Sequence, residues 1–307
     1  MIKIPPYLKP GDTVGITCPA GFMPLENVTH CVETLHSWGY KTIVGKTVGV
    51  DSGNYFSAPD KERLEELQMM LDDENINAIL FGRGGYGMGR IIDDINFDKF
   101  KANPKWLIGY SDITILHCHL HANLKIASLH APMASAFSES EGRTYIRNIK
   151  NVLEGARVEY HSDPHIYNVK GEVTGRLIGG NLALLAHVIG TPSDYSTKDK
   201  ILFIEDVGEY IYSIDRLLFQ LKRSGKLNNI AGLIIGSFTD TKDTDRPFGL
   251  TVPEVINQFS KEIGCPVCFN FPVGHTYKNA ALKIGGRYKL TVENDGSKLL
   301  NVGPVLS

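Results

Sequence analysis

The first 155 residues alternate short apolar runs with longer amphipathic stretches: TVGITCPA, VTHCVETLHSWGY, KTIVG, KERLEELQMMLDD, NAILFG, and later KWLIG and LKIASLH. Strands separated by helices of ten or more residues impose right-handed βαβ units, because a parallel neighbour can be reached only by a crossover. In KERLEELQMML, Leu64, Leu67 and Leu71 share one helical face with charges between them. From about residue 155 the text turns polar and irregular (EYHSDPHIYNVKGE). New strand candidates then follow, VTGRLIGG, ILFIED, GLIIGSF and ALKIGGRYKLTV, with helical stretches near 181–189, 212–223 and 253–262. The expected fold class is α/β. An N-terminal parallel-sheet domain with helices on both faces spans 1–155, a linker 156–171, and a smaller C-terminal α/β or β-rich domain 172–307, closing a cleft against the first. Ligands of such sheets bind outside the carboxyl ends of the strands, where the turns after ILFG and WLIG sit.

Several function classes drop out on composition. With 42% hydrophobic and 21% charged residues among 307, the chain is an ordinary globular protein able to bury a sizeable core. Its 32 basic and 34 acidic side chains leave a formal charge of −2 and no long run of one sign, so neither nucleic acid nor a membrane surface is an expected partner. The opening MIKIPPYLKPGDTV lacks the pattern of a signal peptide, and no 18 apolar residues run together, so a cytoplasmic enzyme is expected. Five scattered cysteines, Cys18, Cys31, Cys118, Cys265 and Cys268, do not read as a disulfide framework. CPVC at 265–268 lacks the second ligand pair of a structural zinc.

Three motifs carry candidate chemistry. GRGGYG, at 82–87, satisfies G-x-G-x-x-G after a strand. It lies in the third strand-helix unit, contains Arg83, and has no acidic strand end about 20 residues on. Cofactor binding is therefore less well supported than a tight turn exposing backbone N–H groups. HCHLH places His117 and His121 on one helical face with His119 elsewhere, and lacks the glutamate of His-Glu-x-x-His, so packing is the simpler account. GYSDI puts Ser111 at a strand-turn-helix junction, the exposure a nucleophilic serine needs, although Ile113 departs from G-x-S-x-G. On the motif alone Ser111 is equally a helix N-cap, with Asp112 favourably placed in the first turn. In the second half, ILFIEDVGE ends a strand in Glu205 and Asp206, and CFNFPVGHTYKN carries His275 in a loop. The order serine, glutamate, histidine matches one hydrolase triad, though taken alone a solvated strand end is the better account of the acids.

GYSDIT, FIEDVGE and FPVGHTYKNAAL, with GRGGYG and LIGGNLALLAHVIGTP, together resemble the LD-carboxypeptidase family of serine peptidases, in order and along essentially the whole chain. The resemblance implies a homodimer of two-domain subunits and no metal or cofactor. It implies a triad of Ser111 as nucleophile, His275 as general base and Glu205 as its orienting carboxylate, and an oxyanion hole from the backbone N–H groups of Gly85 and Asp112. The implied substrate is a muropeptide, from which terminal D-alanine is released in the cytoplasm during cell-wall recycling. A branch of the family cleaves peptidyl nucleotides of the microcin C type and is expected to stack the base on tryptophans of the second domain. Here the two tryptophans, Trp38 and Trp106, lie in the first half, leaving Tyr210 or Tyr212 as substitutes. From another class, a nucleotide-binding module using residues 82–87 is the alternative.

Overall fold

The computed structural model describes residues 2–49, 53–138 and 140–303. The first half contains β1 (Thr13–Thr17), α1 (Glu26–Ser37), β2 (Lys41–Val44), α2 (Asp60–Asp72), β3 (Ala78–Phe81), α3 (Asp98–Ala102), β4 (Trp106–Gly109), α4 (Thr114–His119), β5 (Ser128–His130) and α5 (Arg143–Leu153). The second contains β6 (Glu159–Ser162), β7 (Gly171–Asn181), α6 (Leu182–His187), β8 (Lys200–Val207), α7 (Ile211–Arg223), β9 (Gly232–Thr239), α8 (Val252–Ile263), β10 (Val267–Cys268), β11 (Leu282–Ile284), β12 (Arg287–Glu293) and β13 (Gly296–Asn301).

β1 to β5 form a parallel sheet in the order β5-β4-β3-β1-β2. Because β1 lies between β2 and β3, the chain reverses its winding direction there, and the loops leaving β1 and β3 diverge to open a crevice. β1, β3 and β4 are buried almost throughout, as a sheet covered on both faces requires. The helices follow their apolar spacing: α1 buries Val28, Cys31 and Leu35, and α5 buries Ile146, Ile149, Val152 and Leu153. A reciprocal Thr251–Glu254 capping box starts α8, and Gly264 at φ 70° ends it.

Helix α2 departs from its expected pattern. Leu67 and Leu71 are buried and Leu64 only in part, whereas Arg63 and Glu66 are buried with them. Both charges are saturated. Glu66 accepts hydrogen bonds from Thr17 Oγ1 (2.6 Å), Thr47 Oγ1 (2.6 Å) and Thr47 N (3.0 Å), while Arg63 donates to the carbonyls of Pro19, Ala58 and Gly87 and pairs with Asp60. Buried charge is tolerated only where it is paired in this way.

The second sheet is mixed, in the order β10-β9-β8-β7-β12-β13-β6, with β7 to β10 parallel and β12, β13 and β6 antiparallel. The expected linker over 156–171 therefore carries an edge strand, β6. Tyr160 is its anchor, buried among otherwise polar neighbours, with its hydroxyl donating to Ala281 O at 2.9 Å. ALKIGGRYKLTV likewise divides. β11 leaves the second half to pair antiparallel with β5, Gly285 at φ 82° turns the chain, and β12 joins the second sheet. Where β7 ends, a Cβ on Gly180 would come within 2.6 Å of Thr114, whose Oγ1 accepts from Asn181 N at 3.2 Å. The second sheet thus seats directly on α4. Among the described residues, no helix is long and apolar enough to cross a membrane.

Candidate active site

The loops after β3 and β4 meet at Ser111. Tyr110 leaves β4 extended, and Ser111 then takes φ 61°, an uncommon left-handed value for a side-chain-bearing residue, before a single 3₁₀ turn leads into α4. That turn lifts the hydroxyl off the sheet edge. The loop after β3 presses against it: a Cβ on Gly84 would sit 2.9 Å from Ser111 Cβ and 3.0 Å from its Oγ. Gly85 follows at φ 100°, with Tyr55 Oη 2.9 Å from where its Cβ would be, so residues 84 and 85 must be glycine for separate reasons.

His275 and Glu205 meet from the other side. Nδ1 of His275 donates to Oε2 of Glu205 at 2.7 Å, and Glu205 is wholly buried at the end of β8. Two glycines permit the approach. A Cβ on Gly236 would fall 3.1 Å from Glu205 Cβ, and one on Gly274 would fall 3.0 Å from Oε2 and collide with Ser237 Oγ. Burial acts to lower the pKa of His275. The Glu205 hydrogen bond and the charges of Glu205, Asp206 and Asp240 outweigh it and raise the imidazole above its ordinary value. The Tyr110 ring, one residue before Ser111, lies 4.9 Å from the His275 ring. A cleft of about 330 Å³ opens here, lined by Tyr110, Ile146, Asp240, His275, Tyr277 and Asn279. A larger groove of about 890 Å³ along β12 and β13 contains neither Ser111, Glu205 nor His275.

Asp206, adjacent to Glu205, faces the opposite side of the strand. It accepts from Asn181 Nδ2 (2.7 Å), Ala183 N (2.9 Å) and Val207 N (2.8 Å), holding the start of α6. Alternation along a strand separates the two acids. The HCHLH histidines also take separate partners: His117 Nε2 donates to Gly109 O (2.8 Å), His119 Nδ1 meets Ser193 Oγ (3.0 Å), and His121 packs against Tyr195. Among the described residues, no three His, Cys, Asp or Glu side chains are grouped to hold a metal. The five cysteines are free; burial pushes the thiols of Cys18 and Cys118 up to about 12 and Cys265 to about 11.

Comparison with known proteins bears on this geometry. Residues 14–131 match the model of the LD-carboxypeptidase N-terminal domain and residues 174–290 that of the C-terminal domain. The chain belongs to the LD-carboxypeptidase family. It is a serine-type carboxypeptidase, a hydrolase. A "probable murein peptide carboxypeptidase" of Bacillus subtilis is 34% identical over 92% of this chain and 90% of its own length. The microcin C7 self-immunity protein MccF of Escherichia coli is 26% identical over 94% and 92%. The crystal structure of a muramoyltetrapeptide carboxypeptidase from Oxalobacter formigenes superposes with a TM-score of 0.83 at 28% identity, covering 96% of this chain and all of that one.

Sequence reasoning passed over several LD-carboxypeptidase side chains that build the site. Asn279 Oδ1 accepts from Gly274 N (3.1 Å), and because a backbone N–H only donates, this fixes the amide orientation. His130 Nε2 at 3.2 Å from the same oxygen must then be the protonated nitrogen, tying β5 to the His275 loop. Arg63 was hidden among the charges of α2, and the carboxylate of Asp112 behind the interest of its backbone N–H. Nothing in residue spacing distinguishes a saturated buried charge from a solvated one.

Proposed function

We propose that this LD-carboxypeptidase removes the terminal D-alanine of murein tetrapeptide, cutting the bond from an L-centre to the D-residue in the cytoplasm, and that it does so as a homodimer. The reading rests on one observation above others: a buried glutamate bonded to Nδ1 of a cleft histidine, across from a serine held in a left-handed turn against a glycine loop. With Nδ1–H donated to Glu205, Nε2 of His275 keeps its lone pair for use as a base. Ser111 Oγ attacks the peptide carbonyl carbon as His275 takes its proton, and the oxyanion is received by the N–H groups of Gly85 and Asp112. Collapse breaks the C–N bond, and His275 returns the proton to the departing D-alanine amine. Water then attacks the acyl-enzyme by the same route, restoring Ser111 and releasing the tripeptide acid.

The deciding experiment incubates wild type and Ser111→Ala with tetrapeptides carrying lysine or diaminopimelate before the D-alanine and follows free D-alanine. Release by wild type alone supports the reading; release by neither, or equally by both, overturns it. A second reading, hydrolysis of a peptidyl nucleotide, is favoured by one feature. Tyr210 and Tyr212 stack on each other (5.4 Å between centroids) and remain exposed just after β8, whereas Trp106 is buried against Tyr7 and Trp38 packs on Tyr40 and Phe137. A microcin C-type substrate in the same assay separates the two. Nucleotide binding at 82–87 is less favoured, since Ser111 occupies the close-approach face of Gly84. Light scattering in solution tests the homodimer.

A further inference from the structure

The loop at 82–87 is held from beneath by two buried charges that the reaction as written does not use. Asp112 is 1% exposed, and its Oδ2 accepts from Met88 N at 2.7 Å, where the glycine loop runs into its 3₁₀ turn. Arg63 is fully buried, donating Nη1 to the carbonyls of Gly87 and Pro19 and Nε to Ala58 O at 2.9 Å. Burial pushes the Asp112 carboxyl up to about 6, and the Met88 N–H and the Arg63 guanidinium act against it by favouring the charged form. The fit leaves no slack, since a Cβ on Gly87 would fall 2.8 Å from Arg63 Nη1 and 2.8 Å from Ala20 Cα. Other ties of the loop are the backbone bonds Gly82 N to Thr17 O (2.8 Å), and Gly82 O and Gly84 O accepting from Ser135 N (3.1 Å) and Gly21 N (3.0 Å), with Arg83 Nη1 donating to Phe22 O (2.9 Å) and the Tyr86 ring against Phe56. Where the loop passes beyond Gly85 to Gly87 and Met88, Asp112 and Arg63 are the buried charged side chains that hold its backbone.

We infer that the Asp112 carboxylate and Arg63 are positioning residues that set the distance between the glycine loop and the Ser111 turn. This rests on the proposed reading in one respect, that Gly85 and Asp112 supply the oxyanion donors. Asp112 then serves twice. Its backbone N–H is one donor, and its side chain holds the loop that presents the other, so both donors move as one unit. The geometry needs a carboxylate on the residue after the nucleophile and a cation on α2, three residues into the helix. A charged acceptor buried beside Arg63 makes a shorter and stronger bond to Met88 N than a neutral one does. Donors aimed at an oxyanion act through fixed placement, and removing one costs on the order of 10²- to 10³-fold in rate.

The test uses Asp112→Asn, Asp112→Ala and Arg63→Lys in the full chain. Two readouts are needed: kcat and KM on the tetrapeptide cleaved by wild type, and hydrogen exchange of the peptide covering 82–90, with circular dichroism confirming the fold. We expect kcat to fall about 10²-fold or more in Asp112→Ala, and by less in Asp112→Asn, whose amide oxygen still reaches Met88 N. KM should stay within about threefold, because the loss belongs to the transition state. Exchange at 82–90 should rise in the same order, and Ser111→Ala should leave it unchanged. Should Asp112→Ala unfold, Asp112→Asn and Arg63→Lys carry the test. Wild-type kcat in folded Asp112 and Arg63 variants, while Ser111→Ala is dead, overturns the inference and leaves the serine mechanism standing. If Ser111→Ala stays active, the mechanism fails and exchange alone decides: unchanged protection at 82–90 overturns the positioning role, and raised protection loss upholds it.

Discussion

At the scale of single residues, the site divides into groups that react and groups that hold them. Removing the nucleophile should be nearly all-or-none: Ser111→Ala keeps the fold and loses several orders of magnitude in kcat, and near wild-type D-alanine release from it sinks the covalent route. The imidazole gives a finer test. Its pKa is raised by Glu205, so kcat/KM should fall on the acid side with a limb above the ordinary value of about 6.5. Glu205→Gln removes that charge, so the limb should move to lower pH while the maximum rate drops through loss of orientation. An unmoved limb and unchanged maximum in a folded mutant would exclude Glu205 as the orienting acid. Ser111, Glu205 and His275 each stand out in the sequence as a motif, and the family resemblance is what joins them into an expected triad. The resemblance names Glu205, and the structure gives the physical reason: alternation along β8 sends Glu205 to His275 and Asp206 to Asn181.

Among elements, strands and long helices follow their patterns closely, and the exceptions are those whose neighbours decide them. β6 is invisible in EYHS because one buried tyrosine anchors it, and ALKIGGRYKLTV reads as one strand because nothing local says that its two halves join different sheets. Glycines inside these connections carry a testable cost. Gly274→Ala would place a methyl against Glu205 and Ser237 at φ 124°, so kcat should fall steeply, with the acid limb of the pH profile displaced as the His275–Glu205 bond lengthens. A profile superimposable on wild type would count against the packing argument. Helix α4, the short π turn after it and β5 also carry a pH liability. Burial lowers the pKa of His117 and His121 to about 4 and that of His130 to about 3. The unfolded chain binds protons at these histidines below about pH 6.5 while the folded chain refuses them, so stability is present above that pH and is lost as pH falls toward 4. Melting temperature should therefore drop across that window, and His117→Asn should make the drop shallower. A melting temperature flat from pH 6.5 to 4 would show that these rings are not held neutral.

For the whole molecule, the α/β class with a first parallel sheet and a second sheet was readable from the periodicity, because strands and helices alternate locally in each half. What the periodicity could not carry is that the first sheet is finished by the second half, through β11 on β5. Residues 1–155 expressed alone should consequently fail to give a dispersed, folded amide spectrum, and a well-dispersed monomer would contradict the dependence. The same pairing has a meaning during synthesis. After β5 leaves the ribosome, its open edge waits for some 150 further residues, about 8 to 30 s at ordinary elongation rates. Over that interval a bare strand edge is available to any passing chain or chaperone. When β11 closes it, the His275 loop has just emerged beside it, so a product that ends before residue 275 lacks both the closing strand and the base of the proposed triad.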